Sequence, residues 1–283
     1  MAEYFTARGL PVPAELTRNP LTNWRRLLPI ALVVIVVYIG LRVTDIDLTY
    51  ANPDYFTAKF RELFNWDTSI LTPQNEFETF WDTAEGLMVT TIFLGIVATA
   101  FSIVIAIPVS FLGARNIMGG NPFTVAIYTL VRLVFTIIRS IDVLIVVILC
   151  AVLFGIGNAA GVIGLAFHNI GVLGKLYSEA IEGIDAGPIE AITATGATRF
   201  QVIWTAVMPQ IINPFISFTI YRLDANVRLA PILGLVGGGG IGILLFQSIN
   251  LLKYGAAGLI IFMIVVTVAA MDFGSAQVRR RLA

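Results

Sequence analysis

The residues best suited to chemistry are few, and the sharpest group is Arg222, Asp224, Asn226 and Arg228, set in an otherwise apolar stretch. On a helix Asp224 and Arg228 are four apart and share one face, while Arg222 and Asn226 share another. Ionised side chains among so many aliphatic ones suit passage of a charged solute, with a net-positive lining favouring an anion. They equally suit an internal salt bridge that ties helices together, and spacing alone leaves both uses open. The only histidine, His168, precedes Asn169 in a second apolar stretch and fits either a gate residue or a hydrogen-bonded core side chain. With one histidine and one cysteine, Cys150, the chain has no internal disulfide, no cysteine zinc cluster and no two-histidine metal motif. No serine–histidine or carboxylate–metal arrangement has a recognisable spacing, so a membrane-embedded enzyme is disfavoured. The P-loop pattern, a glycine, four residues and then Gly-Lys-Ser/Thr, is absent too. The chain therefore reads as a non-catalytic protein that binds no cofactor of its own.

The elements that must position these residues are membrane helices. Hydrophobic residues make up 57% of the chain and charged ones 13%, against about 25% charged in soluble domains. The mean hydropathy is +0.86. A hydrocarbon core of about 30 Å needs roughly 20 apolar helical residues whose backbone groups are satisfied within the segment. Six stretches qualify: Leu27 to Val43, Ala84 to Leu112, Phe123 to Phe154, Ala159 to Ile181, Gln210 to Val236, and Ala256 to Phe273, the third and fifth interrupted by charges. The expected fold class is all-α integral membrane with six transmembrane helices. The first lacks a small-residue cleavage site and reads as a retained anchor. Arg8, Arg18, Arg25, Arg26, Arg115, Arg279, Arg280 and Arg281 all fall on one side of a six-span topology, which makes both termini cytoplasmic. A formal net charge of zero argues against nucleic acid as a partner and leaves the lipid bilayer as the surroundings.

Residues 1–83 then form a cytoplasmic tail, the first anchor and an external stretch, and residues 84–283 form the transport core. Phe56, Phe60, Leu63 and Phe64, and again Phe77, Phe80, Trp81 and Ala84, repeat at helical spacing and predict helices lying at the external interface, with Trp66 and Trp81 at headgroup level. At the external end of the fifth span, Gly237, Gly238, Gly239 and Gly240 form a candidate gate. The run suits a flexible, closely packed hinge, or else a nest of amides around an anion.

Between the fourth and fifth spans lies the loop 183–209, whose Gly187–Gln210 segment reads GPIEAITATGATRFQVIWTAVMPQ. Pro188 suits a first helical turn and Gly196 its termination. Thr198 and Gln201 have capping-box spacing, and Phe200, Ile203, Trp204 and Val207 form the apolar face of a second short helix ending near Pro209. Glu190, Ala191, Gly196 and Pro209 match the EAA motif of the membrane subunits of bacterial ABC importers, with Ile192, Ala206 and Met208 departing from the usual alanine, isoleucine and leucine.

Three longer stretches narrow this resemblance. AIPVSFLGARN (Ala106 to Asn116), HNIGVLGKLYSEAIEGI (His168 to Ile184) and YRLDANVRLAPILGLVGGGGIG (Tyr221 to Gly242) resemble the phosphonate-importer permeases, while Arg139-Ser140-Ile141 is similar to methionine-type permeases with Asp142 in place of their proline. The resemblance implies a methionine-permease-like type I ABC importer fold with an extra amino-terminal helix, in a prokaryotic inner membrane. It implies coupling through Glu190, Ala191, Gly196 and Pro209 to an ABC ATPase present in two copies, which carries ATP and Mg. It further implies a second copy of this chain as partner, and an external solute-binding protein that delivers phosphonate, phosphite or phosphate. The rival expectation is an ion-coupled secondary carrier for a small anion, motivated by the intramembrane charges and His168, although no internal repeat supports it.

Overall fold

The computed structural model describes residues 8–9, 24–44, 52–73 and 79–282. Arg18, Phe77 and the side chains of Arg25, Arg26, Arg279 and Arg281 lie outside the described residues. The chain divides into two compact units, Met1–Thr57 and Ala58–Ala283. The first contains α1 (Trp24–Val43), whose apolar run 27–41 is flanked by Arg25, Arg26 and Arg42 and whose side chains from Leu28 to Val43 are exposed. The helix α2 (Pro53–Phe64) begins in that unit and ends in the second.

The second unit is a helical bundle. Its long helices are α3 (Ala84–Leu112), α5 (Pro122–Ser140), α7 (Asn158–Glu182), α10 (Met208–Leu235) and α12 (Tyr254–Leu282). Short helices fill the connections: α4 (Arg115–Met118), α6 (Val143–Phe154), α8 (Ala186–Ala194), α9 (Arg199–Val202) and α11 (Ile241–Asn250). Among the described residues, five helices are long and apolar enough to cross a membrane, and the stretch Leu28–Val43 is a shorter apolar helix.

Helix α7 is the axis of the bundle because one of its faces is notched by small residues. A Cβ on Gly164 would lie 2.7 Å from Val147, and one on Gly171 2.5 Å from Ile138; Gly174 sits directly under the Phe135 ring. In lipid, where apolar burial does not drive helices together, such close approach supplies the van der Waals contact that does. The same pairings fix topology. Phe135 and Ile138 on α5, then Val147 on α6, meet α7 in reverse order, so α5 and α6 run one after the other antiparallel to α7. The expected continuous third span, Phe123 to Phe154, is thus two helices in one traverse. The break lies at Ile141, whose backbone is extended, and at Asp142, whose carboxylate caps α6 by accepting from Leu144 N at 2.8 Å. Asp142 is used as a cap instead of pairing with Arg139.

Packing is layered. At one end Tyr177 stacks on Phe215 with ring centroids 4.1 Å apart, among Ala106, Leu173, Ile181 and Ile211. Val147, Leu165 and Leu233 fill the middle, and Ala84, Met88, Ile241 and Ile260 fill the other end. Two further expectations need correction. Phe80 and Trp81 do not share a helix with Ala84: Phe80–Asp82 is a single 3-10 turn, stopped where Thr83 caps α3. The segment after the glycine run also forms an apolar helix, α11, which packs back against α12; ten residues were too few to register as a span.

Candidate functional site

The loop 183–209 begins at Asp185, whose carboxylate accepts from Gly187 N at 3.0 Å and caps α8. Pro188 falls in the first turn of α8, as expected, and Glu190 and Ala191 are exposed on it. Past α8, Gly196 adopts φ +81, a left-handed conformation costly for any residue with a Cβ. The capping box at Thr198 is present: Thr198 N donates to Gln201 Oε1 at 2.8 Å and Gln201 N to Thr198 Oγ1 at 3.4 Å. The apolar face that follows is bare, with Phe200 74% and Trp204 66% exposed.

The second short helix does not end near Pro209. Instead α9 continues through a π-helical turn, Ile203–Val207, directly into α10. Proline lacks an amide hydrogen and its ring clashes with the carbonyl four residues back. Widening the preceding turn to i→i−5 bonding, as in Met208 N to Ile203 O, relieves that clash without breaking the helix. Sequence reasoning missed the residue that closes the loop at its base. Gln210 Oε1 accepts from Asp185 N at 2.9 Å and Gln210 Nε2 donates to Ala206 O at 2.8 Å. One side chain so joins the start of α8 to the π turn. A polar residue following a span-initiating proline was the available signal, and it is a weak one.

The intramembrane charges resolve into separate groups. Arg228 Nη2 lies 3.3 Å from Asp224 Oδ2 on the same helix face and 2.6 Å from Asp272 Oδ1 on α12, so the expected pair is a triad that bridges two helices. Asp272 was missed, although a lone acid in an apolar span is a readable signal. Asn226 is fully buried and its Nδ2 donates to Thr99 Oγ1 of α3 at 2.8 Å. Arg222 reaches α7, where its Nε and Nη2 both donate to Asn169 Oδ1, the former at 3.1 Å. His168 is half-buried beside the Ile141 backbone, with the charges of Arg139, Asp142 and Arg222 around it. Arg132 pairs with Glu182 at 2.9 Å, and Glu182 also accepts from Arg115 N, locking α5, α7 and the start of α4.

In the glycine run, Gly237, Gly239 and Gly240 have φ of +96, +84 and +72. Gly238 N donates to Leu233 O at 2.8 Å, Gly240 N to Asn158 Oδ1 at 3.2 Å, and Ile241 N to Thr91 Oγ1 at 2.8 Å. These amides are engaged by protein, which suits the tight hinge better than the anion nest. Gly239 and Gly240 border a cleft of about 380 Å³, lined also by Asp82, Asn158 and Gln247.

A bundle of apolar helices with a bare amphipathic loop between two spans has known counterparts. Residues 117–283 match the family of binding-protein-dependent transport system inner membrane components. The chain belongs to that family. It is accordingly a multi-pass inner-membrane protein and a non-catalytic permease component. It is 38% identical over 192 residues to the phosphate-import permease protein PhnE of Mycolicibacterium smegmatis, covering 68% of this chain and 35% of that one. It is 34% identical over 193 residues to the phosphite transport system permease protein PtxC of Stutzerimonas stutzeri, covering 68% and 69%. The chain thus spans about a third of the first relative and about two thirds of the second. In fold it is similar to the inward-facing MetNI methionine ABC transporter, with a TM-score of 0.59 and 23% identity over 69% of this chain and 94% of that one.

Proposed function

We propose that this chain is the permease subunit of an ATP-driven importer for phosphonate or a related phosphorus oxyanion such as phosphite or phosphate, delivered by an external solute-binding protein. The observation that carries the reading is the loop 183–209: two short helices with exposed Phe200 and Trp204, bent at a left-handed Gly196 and clamped at the base by Gln210. Solvent-exposed aromatics on a short, braced element form a surface suited to a protein groove. Such an element transmits a push because its base is fixed. Glu190, Ala191, Gly196 and Pro209 are its coupling residues, and its partner is an ABC ATPase in two copies carrying ATP and Mg.

One loop per chain implies a second copy of this chain. In this reading α1 adds a sixth span to the five long helices, and the arginine distribution supports a topology with both termini and the loop in the cytoplasm. Residues 1–83 serve as tail, anchor and external cover, and 84–283 as the transport core. The path candidates are Arg222, Asp224, Asn226, Arg228 and His168, and Gly237–Gly240 form the external gate. The names of the two relatives, which concern phosphate and phosphite, support the substrate class.

The test is purification of the tagged chain in mild detergent after co-expression with the neighbouring genes, followed by an ATPase assay with and without liganded phosphonate-binding protein. An associated ATPase stimulated by the liganded binding protein is expected. A chain that purifies alone, with uptake that collapses with the proton gradient instead of with ATP, would overturn the importer reading in favour of a secondary carrier.

A further inference from the structure

We infer that Arg222 and Asn169 form an oxyanion station inside the helix bundle, a site on the permease itself that takes a tetrahedral phosphorus oxyanion in transit. This rests on the importer reading and narrows its five path candidates to one position, adding Asn169. Arg222 lies near the middle of α10, 14 residues from Met208 and 13 from Leu235, or about 20 Å of helix from either end. A residue that far from both helix ends does not have the short route to a headgroup that snorkelling side chains near helix termini use. A cation at such depth needs a counter-charge or a polar partner. Among the described residues no carboxylate pairs with Arg222, whereas Arg132 and Arg228 each pair with one or more. Among those residues its hydrogen-bond partner is the Asn169 amide oxygen.

The polarity of the remaining atoms indicates what ligand chemistry would fit. Asn169 is fully buried, and the atom facing the guanidinium must be Oδ1, since Nδ2 would set donor against donor. Its Nδ2 is left buried with no acceptor among the described residues, and on the preceding residue His168 Nδ1 is likewise buried without a partner there. A buried unmatched donor beside an arginine without a counter-charge calls for an acceptor that carries negative charge. Asn226, one helical turn further along α10, shows the opposite polarity: its donor is satisfied by Thr99 and its unmatched atom is the acceptor Oδ1, which would repel an anion. Arg228 already faces two carboxylates.

Placement agrees with polarity. The α7 register that sets Gly171 against Ile138 and Gly164 against Val147 brings residue 168 level with the break between α5 and α6 at Ile141. Interrupted helices at membrane depth occur where the backbone is buried in protein or lines a water-filled cavity, and a break level with residue 168 is compatible with the second of these. In the proposed cycle Asn169 parks the guanidinium between passages. An arriving oxyanion takes over its Nη donors and accepts from Asn169 Nδ2, and its departure restores the parked pair.

The decisive experiment is equilibrium binding of radiolabelled methylphosphonate to the purified permease–ATPase complex, without binding protein, in nanodiscs. Saturable binding in the millimolar range, displaced by inorganic phosphate and reduced at least tenfold by Asn169→Asp, is expected, because a carboxylate at 169 would neutralise Arg222 internally. Arg222→Lys, which keeps the charge but loses the fork, should retain intermediate binding. No saturable binding to the assembled wild-type complex overturns the station, and so does binding to Asn169→Asp within twofold of wild type. Loss of assembly in both variants, in step with loss of binding, would reassign the pair to a structural role. Binding that weakens as anionic lipid replaces phosphatidylcholine would reassign it to a lipid phosphate. Failure to isolate any ATPase with the wild-type chain would instead refute the importer reading on which the station rests.

Discussion

Replacing Gln210 with leucine keeps a side chain of similar size at the start of α10 while removing the clamp at the base of the proposed coupling loop. Two well-formed hydrogen bonds are lost, Asp185 N to Oε1 at 2.9 Å and Nε2 to Ala206 O at 2.8 Å. At about 0.5–1.5 kcal/mol each, this weakens attachment of α8 to α10 by about 1–3 kcal/mol. Asp185 is exposed and water replaces part of what its amide loses, so the lower half of that range applies. That corresponds to roughly a tenfold shift towards a detached loop. In the proposed importer a detached loop still docks on the ATPase, because Phe200 and Trp204 are untouched, but it no longer moves α10 in step. The assay is uptake of labelled phosphite per ATP hydrolysed in proteoliposomes holding permease, ATPase and binding protein. Gln210→Leu should lower the ratio about tenfold with the complex still assembled. Gln210→Glu keeps the acceptor for Asp185 N and should fall less. An unchanged ratio in Gln210→Leu would refute the argument that this side chain carries motion from loop to span.

Three further outcomes are expected. Gly196→Pro, which cannot adopt φ +81, and Glu190→Lys, which reverses charge on the exposed face of α8, should each abolish uptake while leaving the protein in the membrane; uptake assays with membrane-fraction blots check this, and normal uptake in both would remove the coupling role. Gly171→Val should overpack α7 against Ile138 and destabilise the bundle by about 1–3 kcal/mol, read as a lower midpoint in detergent unfolding. The Thr79 amide and hydroxyl hold the Asp82 carboxyl below the usual carboxylate range. A depressed folded-state value means that the contribution of this cap is present above the ordinary carboxylate range and is lost as pH falls through the depressed value. Protection of the Thr79 amide, measured against its intrinsic exchange rate at each pH, should accordingly fall in acid, and Asp82→Asn should show no such acid step.

The spans were legible because lipid imposes a length and a composition that no soluble helix needs, and Ala84–Leu112 was read to the residue. The loop was legible too, since Pro188, Gly196 and the Thr198–Gln201 box each act on the backbone within a few residues. What escaped depends on partners distant in sequence. Asn169 looks like an ordinary polar residue in a span until Arg222, 53 residues on, donates to its amide oxygen. Thr99 and Thr91 look like ordinary membrane threonines until Asn226 and Ile241 come to lie against them, 127 and 150 residues away in the chain. Pro209 was read as a stop because proline usually ends a helix, and the π turn that accommodates it leaves no periodic mark.

That turn also fixes the phase between the two working parts of the chain. Each residue added to or taken from a helix rotates everything beyond it by about 100°, and the widened turn at Ile203–Val207 holds such an increment in place. Removing one residue there would restore ordinary pitch, at the cost of bringing the Pro209 ring back against the carbonyl four residues before it. The aromatic face of Phe200 and Trp204 would then swing a quarter-turn or more away from the direction in which the clamped α8 presents Glu190, so the segment's length sets where the loop aims as firmly as its side chains set what it meets.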